Sequence, residues 1–261
     1  MDKIRKSLRA LTTILRKPYL LNLILDENEN WFQYVRKNYP ALSILPELTL
    51  TDLFGPLDET IRPFTFLDGG SLPTDLALLK GLARQIENCR FFEFGTWRGE
   101  SVANISPVAK ECYTLDLPDE EKRMMGMNDE YIRQYAILSK QLKNVTHLKA
   151  NSLNFDFASL NKKFDLIFID GDHHYNGVLN DTRKVISNLV HENSVIVWHD
   201  YTFSPENVRY EVFAAILDAL PAHFHPKLFR IPNTMCAVYL PKPVKPSGNS
   251  APIFEVTLKS V

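Results

Sequence analysis

Phe91-Phe-Glu-Phe-Gly-Thr-Trp-Arg-Gly-Glu-Ser101 joins an apolar run to a glycine-bearing turn. A short apolar run reaches Glu93, a turn with Gly95, Thr96 and Gly99 follows, and a helix is expected to open near Ser101. Glycine allows the positive φ and the close backbone approach that a ligand-binding turn between strand and helix needs. The dinucleotide fingerprint wants a third glycine where Trp97 stands, which disfavours a pyrophosphate clamp. A cofactor without phosphates suits this bulkier turn, and the Glu93 carboxylate would attract a cationic group on it.

Asp116 lies at the end of the next apolar run, Cys112–Leu117. That interval from Glu93 fits one strand–helix–strand unit, and a carboxylate there can accept from ribose hydroxyls. A third run, Val145–Leu148, is followed by Asn151 and Ser152, polar groups that could meet an adenine edge. The second informative segment is Phe164-Asp-Leu-Ile-Phe-Ile-Asp-Gly-Asp-His-His-Tyr175. Its apolar core, Leu166–Ile169, delivers Asp170, Asp172, His173 and His174 to one strand end. The run Val195–Trp198 ends likewise, in His199 and Asp200. Open α/β sheets bind ligands at the carboxyl ends of their strands, and neighbouring strands lie about 5 Å apart. Asp170 and Asp200 can therefore point at one metal ion.

The near-continuous apolar runs predict a parallel sheet covered by helices on both faces. One helix carries Val178, Val185 and Leu189; another carries Val212, Ala215, Ile216 and Ala219. Leu228–Ile231 and Met235–Leu240 predict a terminal hairpin. Before the sheet, Ser71 is a candidate cap for a helix with Pro73 and Asp75 in its first turn. The fold class is thus α/β: a Rossmann-like, doubly wound, mostly parallel seven-stranded sheet with a C-terminal hairpin and a helical N-terminal extension. The divisions are 1–65, extension; 66–240, sheet domain; and 241–261, a proline-rich tail expected to be mobile. Between the second and third strands, residues 118–144 exceed a simple turn. A helix over Tyr131–Leu142, preceded by Met124, Met125 and Met127, would serve as a lid, an acceptor wall or core filling.

Composition sets outer limits. In 261 residues, 45% are hydrophobic and 23% charged, which is ordinary for a globular chain. The formal net charge of -1 supplies no field that would draw nucleic acid, so none is expected as a partner. Cys89, Cys112 and Cys236 are scattered, which argues against a disulfide framework or thiolate zinc site and for the cytoplasm. No run is long enough for a membrane span. In residues 1–17, Ile4, Leu8, Leu11 and Leu15 share one helical face among basic residues. The face either docks on the domain or a partner subunit, or lies on a membrane surface.

The chain resembles the class I S-adenosylmethionine-dependent methyltransferases. It is most similar to methyltransferase family 24, near catechol O-methyltransferase-like and macrolide-sugar O-methyltransferase-like enzymes. The resemblance rests on Glu93–Ser101, Asp116 and Phe164–Asp170, and runs from about Ser71 to Leu240. It implies that Glu93, Gly95, Thr96, Gly99 and Ser101 surround the cofactor's methionine end, with Asp116 at ribose and Ser152 near adenine. It also implies that Asp170 lies beside the sulfonium and, with Asp200, ligates a divalent ion such as magnesium. His173 looks like the general base. His199 departs from the pattern, because the relatives have a carboxylate there. Nitrogen is a poorer ligand for magnesium, which leaves the metal and its identity open. The expected activity is methyl transfer to a small-molecule acceptor, at a hydroxyl oxygen, with a homo-oligomer compatible.

Three other readings compete. A metal-dependent hydrolase or oxygenase would use His173, His199, Asp170 and Asp200 but leave Gly95, Gly99 and Asp116 idle. A nicotinamide-dependent dehydrogenase lacks its glycine at Trp97. A non-catalytic, methyltransferase-like scaffold would use the N-terminal helices for assembly.

Overall fold

A computed structural model of the protein describes residues 3–17, 27–67, 69–248 and 250–259. The chain divides into two compact units, Met1–Ser43 and Ile44–Val261. In the first, α1 spans Lys3–Arg16 and α2 spans Glu27–Asn38. Acidic Glu27 and Glu29 open α2 while Arg36 and Lys37 close it, each complementing the helix dipole.

The second unit begins earlier than the expected boundary at residue 65. Leu48 N–H donates to the Arg230 carbonyl at 3.0 Å, and Leu48 and Leu50 are wholly buried in the core. Its elements run α3 (Leu50–Phe54), α4 (Pro73–Arg84), β1 (Arg90–Phe94), α5 (Glu100–Ile105), β2 (Glu111–Asp116), α6 (Asp119–Met124), α7 (Asp129–Arg133) and β3 (Val145–Lys149). They continue with β4 (Leu166–Ile169), α8 (Tyr175–Lys184), β5 (Val195–Trp198), β6 (Thr202–Ser204), β7 (Asn207–Val208), α9 (Tyr210–Ala219), β8 (Leu228–Arg230) and β9 (Ala237–Tyr239).

Among the described residues, seven strands form the main sheet in the order β3-β2-β1-β4-β5-β9-β8. The first five are parallel, and the hairpin β8–β9 joins β5 antiparallel through β9. The order reverses between β1 and β4, which makes that junction the switch point where a ligand crevice opens. The small pair β6–β7 lies outside this sheet.

Strand alternation sorts the side chains. Phe91, Cys112, Leu166, Phe168, Val195 and Val197 pack in one core with Leu78, Leu79 and Leu82 of α4 and Val102 and Ile105 of α5. Each such buried side chain stabilises the fold by roughly 1.5–3 kcal/mol. Phe92 and Phe94 point to the other face, where they meet Phe157 edge-on or tilted. There Trp198 Nε1 donates to Thr182 Oγ1 of α8 at 2.9 Å.

Local expectations need three corrections. Leu72, not Ser71, caps α4, because the Asp75 carboxylate accepts from Leu72 N–H at 2.6 Å. The helix expected over Tyr131–Leu142 stops at Arg133, since Ala136 turns to φ 53 and its N–H donates to the Trp97 carbonyl. The tail from Pro241 is tethered. Asn233 Nδ2 donates to the Pro252 carbonyl at 2.7 Å, Ser247 N–H donates to Asp52 Oδ1 at 3.1 Å, and Val244 and Phe254 pack on the core.

Gly95 adopts φ +90, and a Cβ there would overlap the Asp170 carbonyl. Gly126 has a similar φ of +88 but open space around it. Gly95→Ala should therefore add a clash of about 1–3 kcal/mol to the backbone strain of about 1–2 kcal/mol that it shares with Gly126→Ala. Urea unfolding of both variants measures the difference. Equal losses would show that the ends of β1 and β4 do not approach this closely.

Candidate active site

The strand faces carry polar groups to the carboxyl edge. Glu93 follows Phe91 on the face beneath α4 and α5 and pairs in register with Thr114 of β2. It is fully buried, and its two carboxyl oxygens accept from Ser101 Oγ at 2.6 Å and Thr114 Oγ1 at 2.7 Å. Thr96 Oγ1 lies 2.6 Å from Thr114 Oγ1. This network ties the β1 turn to the neighbouring strand and to the first turn of α5. Burial pushes the Glu93 carboxyl up to about 8, against the lowering by Ser101 and Thr114. Glu93 thus sits below the turn and supports it, rather than facing solvent as a bare carboxylate.

Gly99 takes φ +76 and forms the cap of α5, with Ser139 packed where a Cβ would stand. Residues 134–141 cross over the turn: the N–H groups of Ala136 and Leu138 donate to the carbonyls of Trp97 and Arg98 at 2.8 and 3.0 Å. Trp97, at φ 42, meets Tyr131 edge-on at 3.9 Å between ring centroids. Its Nε1 is buried without a hydrogen-bond partner among the described residues. Beside it opens a cleft of about 370 Å³ lined in part by Leu67, Arg98, Asn128 and Tyr131. Met124 and Met125 are exposed, which removes core filling as their role.

Asp116 ends β2 as expected. It accepts from Leu117 N–H at 2.8 Å and from Lys122 Nζ at 2.6 Å. Burial raises its carboxyl above the usual range despite Lys122. The Trp97 backbone N–H adds a further bond that favours the ionised form. Ser152 stands after β3 within hydrogen-bond reach of Asp181, whose carboxyl burial raises to about 6. Asn151 is taken by Glu121 at 2.5 Å.

At β4 and β5 the register sets Asp170 and His199 side by side. Asp170 N–H donates to the Phe94 carbonyl and His199 N–H to the Ile169 carbonyl, both at 3.0 Å. Asp200 turns to φ 56, and Asp170, His199 and Asp200 bring one ligand atom each within 4.8 Å of the others. His199 is buried. Its Nε2 lies 3.1 Å from Asp75 Oδ2, and its Nδ1 lies 3.0 Å from Asp170 Oδ1 and 3.5 Å from Asp200 Oδ2. Neither short approach at Nδ1 has hydrogen-bond geometry, so that atom is an orphan aimed between two carboxylates. Burial opposes charge on His199, but Asp170 above all, with Asp200 and Asp75, raises it well above the ordinary histidine range. Burial raises Asp170, whereas His199 and Arg209 outweigh burial at Asp200 and lower it.

His173 lies outside that cluster. It is exposed and stacks on His174 at 4.7 Å between centroids, while His174 Nδ1 pairs with Asp172 at 2.6 Å. Desolvation by the groups packed around it nonetheless lowers the His173 pKa from its ordinary value. Sequence reasoning missed Asp75, whose buried carboxylate also accepts from Met235 N–H at 2.8 Å, and took it only for a helix opener. It also missed Lys122, and Arg209, which lies 3.4 Å from Asp200 and has Phe203 against it. No local pattern marks these residues, since each meets its partner only through the fold.

Comparison with known proteins bears on this edge. Residues 92–201 match the family model described as a methyltransferase domain, Methyltransf_24. No curated protein matches the chain. Among solved structures, the chain is similar to an O-methyltransferase from Bacillus cereus in complex with SAH, at 14% identity over 87% of this chain and 97% of that one, with a TM-score of 0.46. It is also similar to an SAH-bound methyltransferase from Podospora anserina, at 16% identity over 83% and 88% of the two chains, with a TM-score of 0.45. Likeness at that depth assigns no role to any residue. The family match spans β1 to β5, the same stretch that builds the glycine turn and the switch point of the sheet. Over residues 92–201 the chain is therefore similar to a methyltransferase domain.

Proposed function

We propose that the protein methylates a hydroxyl oxygen of a small acceptor at the carboxyl edge of β1, β2, β4 and β5. The observation that carries this reading is the orphan His199 Nδ1 between Asp170 and Asp200, with Asp170 on the strand next to the hydroxyl-pinned turn. That juxtaposition sets a proton-handling and metal-compatible cluster against a cofactor turn. When bound, S-adenosylmethionine supplies an electrophilic methyl group. The turn Gly95, Thr96 and Gly99, underpinned by Glu93 and Ser101, would receive its methionine end. Asp116 would accept from the ribose and Ser152 would lie by the adenine. The partnerless Trp97 Nε1 supports a ligand acceptor at this turn.

The donor set also fits a divalent ion. Asp75 holds Nε2–H of His199, so a neutral imidazole would present the Nδ1 lone pair to the ion beside the carboxylates of Asp170 and Asp200. Such an ion would supply a Lewis acid that lowers the pKa of the acceptor hydroxyl. One nitrogen and two carboxylate oxygens favour manganese, iron, cobalt or zinc over magnesium. His173, kept neutral near pH 7, would take the hydroxyl proton at an imidazole nitrogen, while the surrounding edge contributes mostly by positioning. A hydrolase or oxygenase would use the same three ligands but leaves the Glu93 network without a task.

Cobalt(II) titration followed by visible absorption should show ligand-field bands for the wild type and none for His199→Ala. Asp75→Asn should weaken the affinity about 10–100-fold, as loss of a carboxylate behind a ligating histidine does. Calorimetry should show manganese bound at least tenfold more tightly than magnesium. Cobalt binding indifferent to His199 would remove it from the ligand set.

His173→Ala should lose about 10²–10⁴ in turnover with cofactor affinity unchanged. Because desolvation lowers the His173 pKa, the wild-type rate should rise with pH through an apparent value below about 6.5 and then level off. The variant should lack that acid limb. A variant that keeps both the rate and the limb would exclude His173 as the base.

A further inference from the structure

The methyltransferase reading leaves α1 without a task. None of its residues is buried, and Ile4, Leu8, Leu11 and Leu15 are 69%, 59%, 55% and 73% exposed. At 3.6 residues per turn these four fall within about 60° of one another and form one apolar stripe. Lys3, Arg5, Lys6, Arg9, Arg16 and Lys17 occupy the flanks and the opposite side, and no acidic residue lies between positions 3 and 17. Thr12 and Thr13 return their hydroxyls to carbonyls one turn back, so the polar side is satisfied within the helix.

We propose that residues 3–17 are a peripheral anchor that seats this protein on anionic lipid bilayers. An interfacial helix buries its apolar stripe at the acyl boundary while lysine and arginine stems run outward to the headgroups. Six positive charges without a counter-charge complement an anionic surface, where each basic residue strengthens partition about fivefold. A second copy of the helix fits less well. The stripe has heptad spacing, but two heptads fall short of the three to four that sustain a coiled coil. The residues flanking the stripe, Arg5, Ser7, Thr12 and Ile14, offer no opposite charge to a twin helix. The helix is also too short to cross a bilayer, and among the described residues no helix is long and apolar enough to do so.

The test is co-sedimentation of the full chain with sucrose-loaded vesicles of phosphatidylcholine alone or with phosphatidylglycerol at one part in three. The anchor predicts at least tenfold stronger partition to the anionic vesicles, falling as salt is raised. Replacing Lys3, Arg5, Lys6 and Arg9 by Ala should lower that partition about a hundredfold or more. Leu8→Asp with Leu11→Asp should abolish it while leaving the unfolding midpoint of the full chain in place. Absence of wild-type binding to anionic vesicles overturns the proposal, as does binding that survives Leu8→Asp with Leu11→Asp. Concentration-dependent self-association that those substitutions abolish, without vesicle binding, also overturns it, in favour of a second copy over the stripe. The salt and lipid dependence of the wild type decides the matter even if a variant fails to fold.

Discussion

The two segments that bear the chemistry share one site because Gly95 has no side chain. Strand β1 ends where the Asp170 carbonyl presses against the Gly95 backbone, and no Cβ fits between them. The parallel register then carries His199 alongside Asp170, and the αL turn at Asp200 brings the third ligand atom back to the same spot. A glycine often credited to ligand approach here answers first to a neighbouring strand. Gly99 repeats the pattern, with Ser139 of the crossing segment in the place of a side chain.

One face of the sheet holds the polar part of the edge together. Glu93, Thr114, Asp170 and His199 continue the strand positions whose deeper members are Phe91, Cys112, Phe168 and Val197. The helices that cover that face supply the partners, Ser101 from α5 and Asp75 from α4. Burial costs a charged group dearly, so each of these groups is either paired or shifted toward its neutral form. Glu93 takes the second course and keeps its hydrogen bonds. His199 takes the first at Nε2, where it meets Asp75, while its Nδ1 faces Asp170 and Asp200 without a hydrogen bond.

The sheet was legible in the sequence because its strands are short apolar runs between turn residues, and β4 and β5 have the expected limits. Asp170, His199 and Asp200 were legible as a cluster because strand ends in a parallel sheet must meet. Asp75 was not, since an aspartate in the first turn of a helix reads equally well as a cap, and in this structure it is both. The region from Pro118 to Asn144 misled for another reason. Its residues favour helix locally, but the open carbonyls of Trp97 and Arg98 recruit Ala136 and Leu138 and break the helix after Arg133. Val244 and Phe254 of the C-terminal stretch likewise outweigh its proline-rich composition and hold it to the core.

In the proposed reaction the cationic end of the cofactor would sit over the Glu93 network. In the free protein Glu93, with a pKa of about 8, is mostly protonated at pH 7, and a cation bound above it would favour the ionised form. Calorimetric titration with S-adenosylmethionine at pH 7, in two buffers of different ionisation enthalpy, counts the protons released. The wild type should bind with release of up to about one proton. Glu93→Gln, which keeps an acceptor for the neighbouring hydroxyls, should still bind but lose that release. Absence of binding, or equal proton release by the wild type and Glu93→Gln, would contradict this placement of the cofactor.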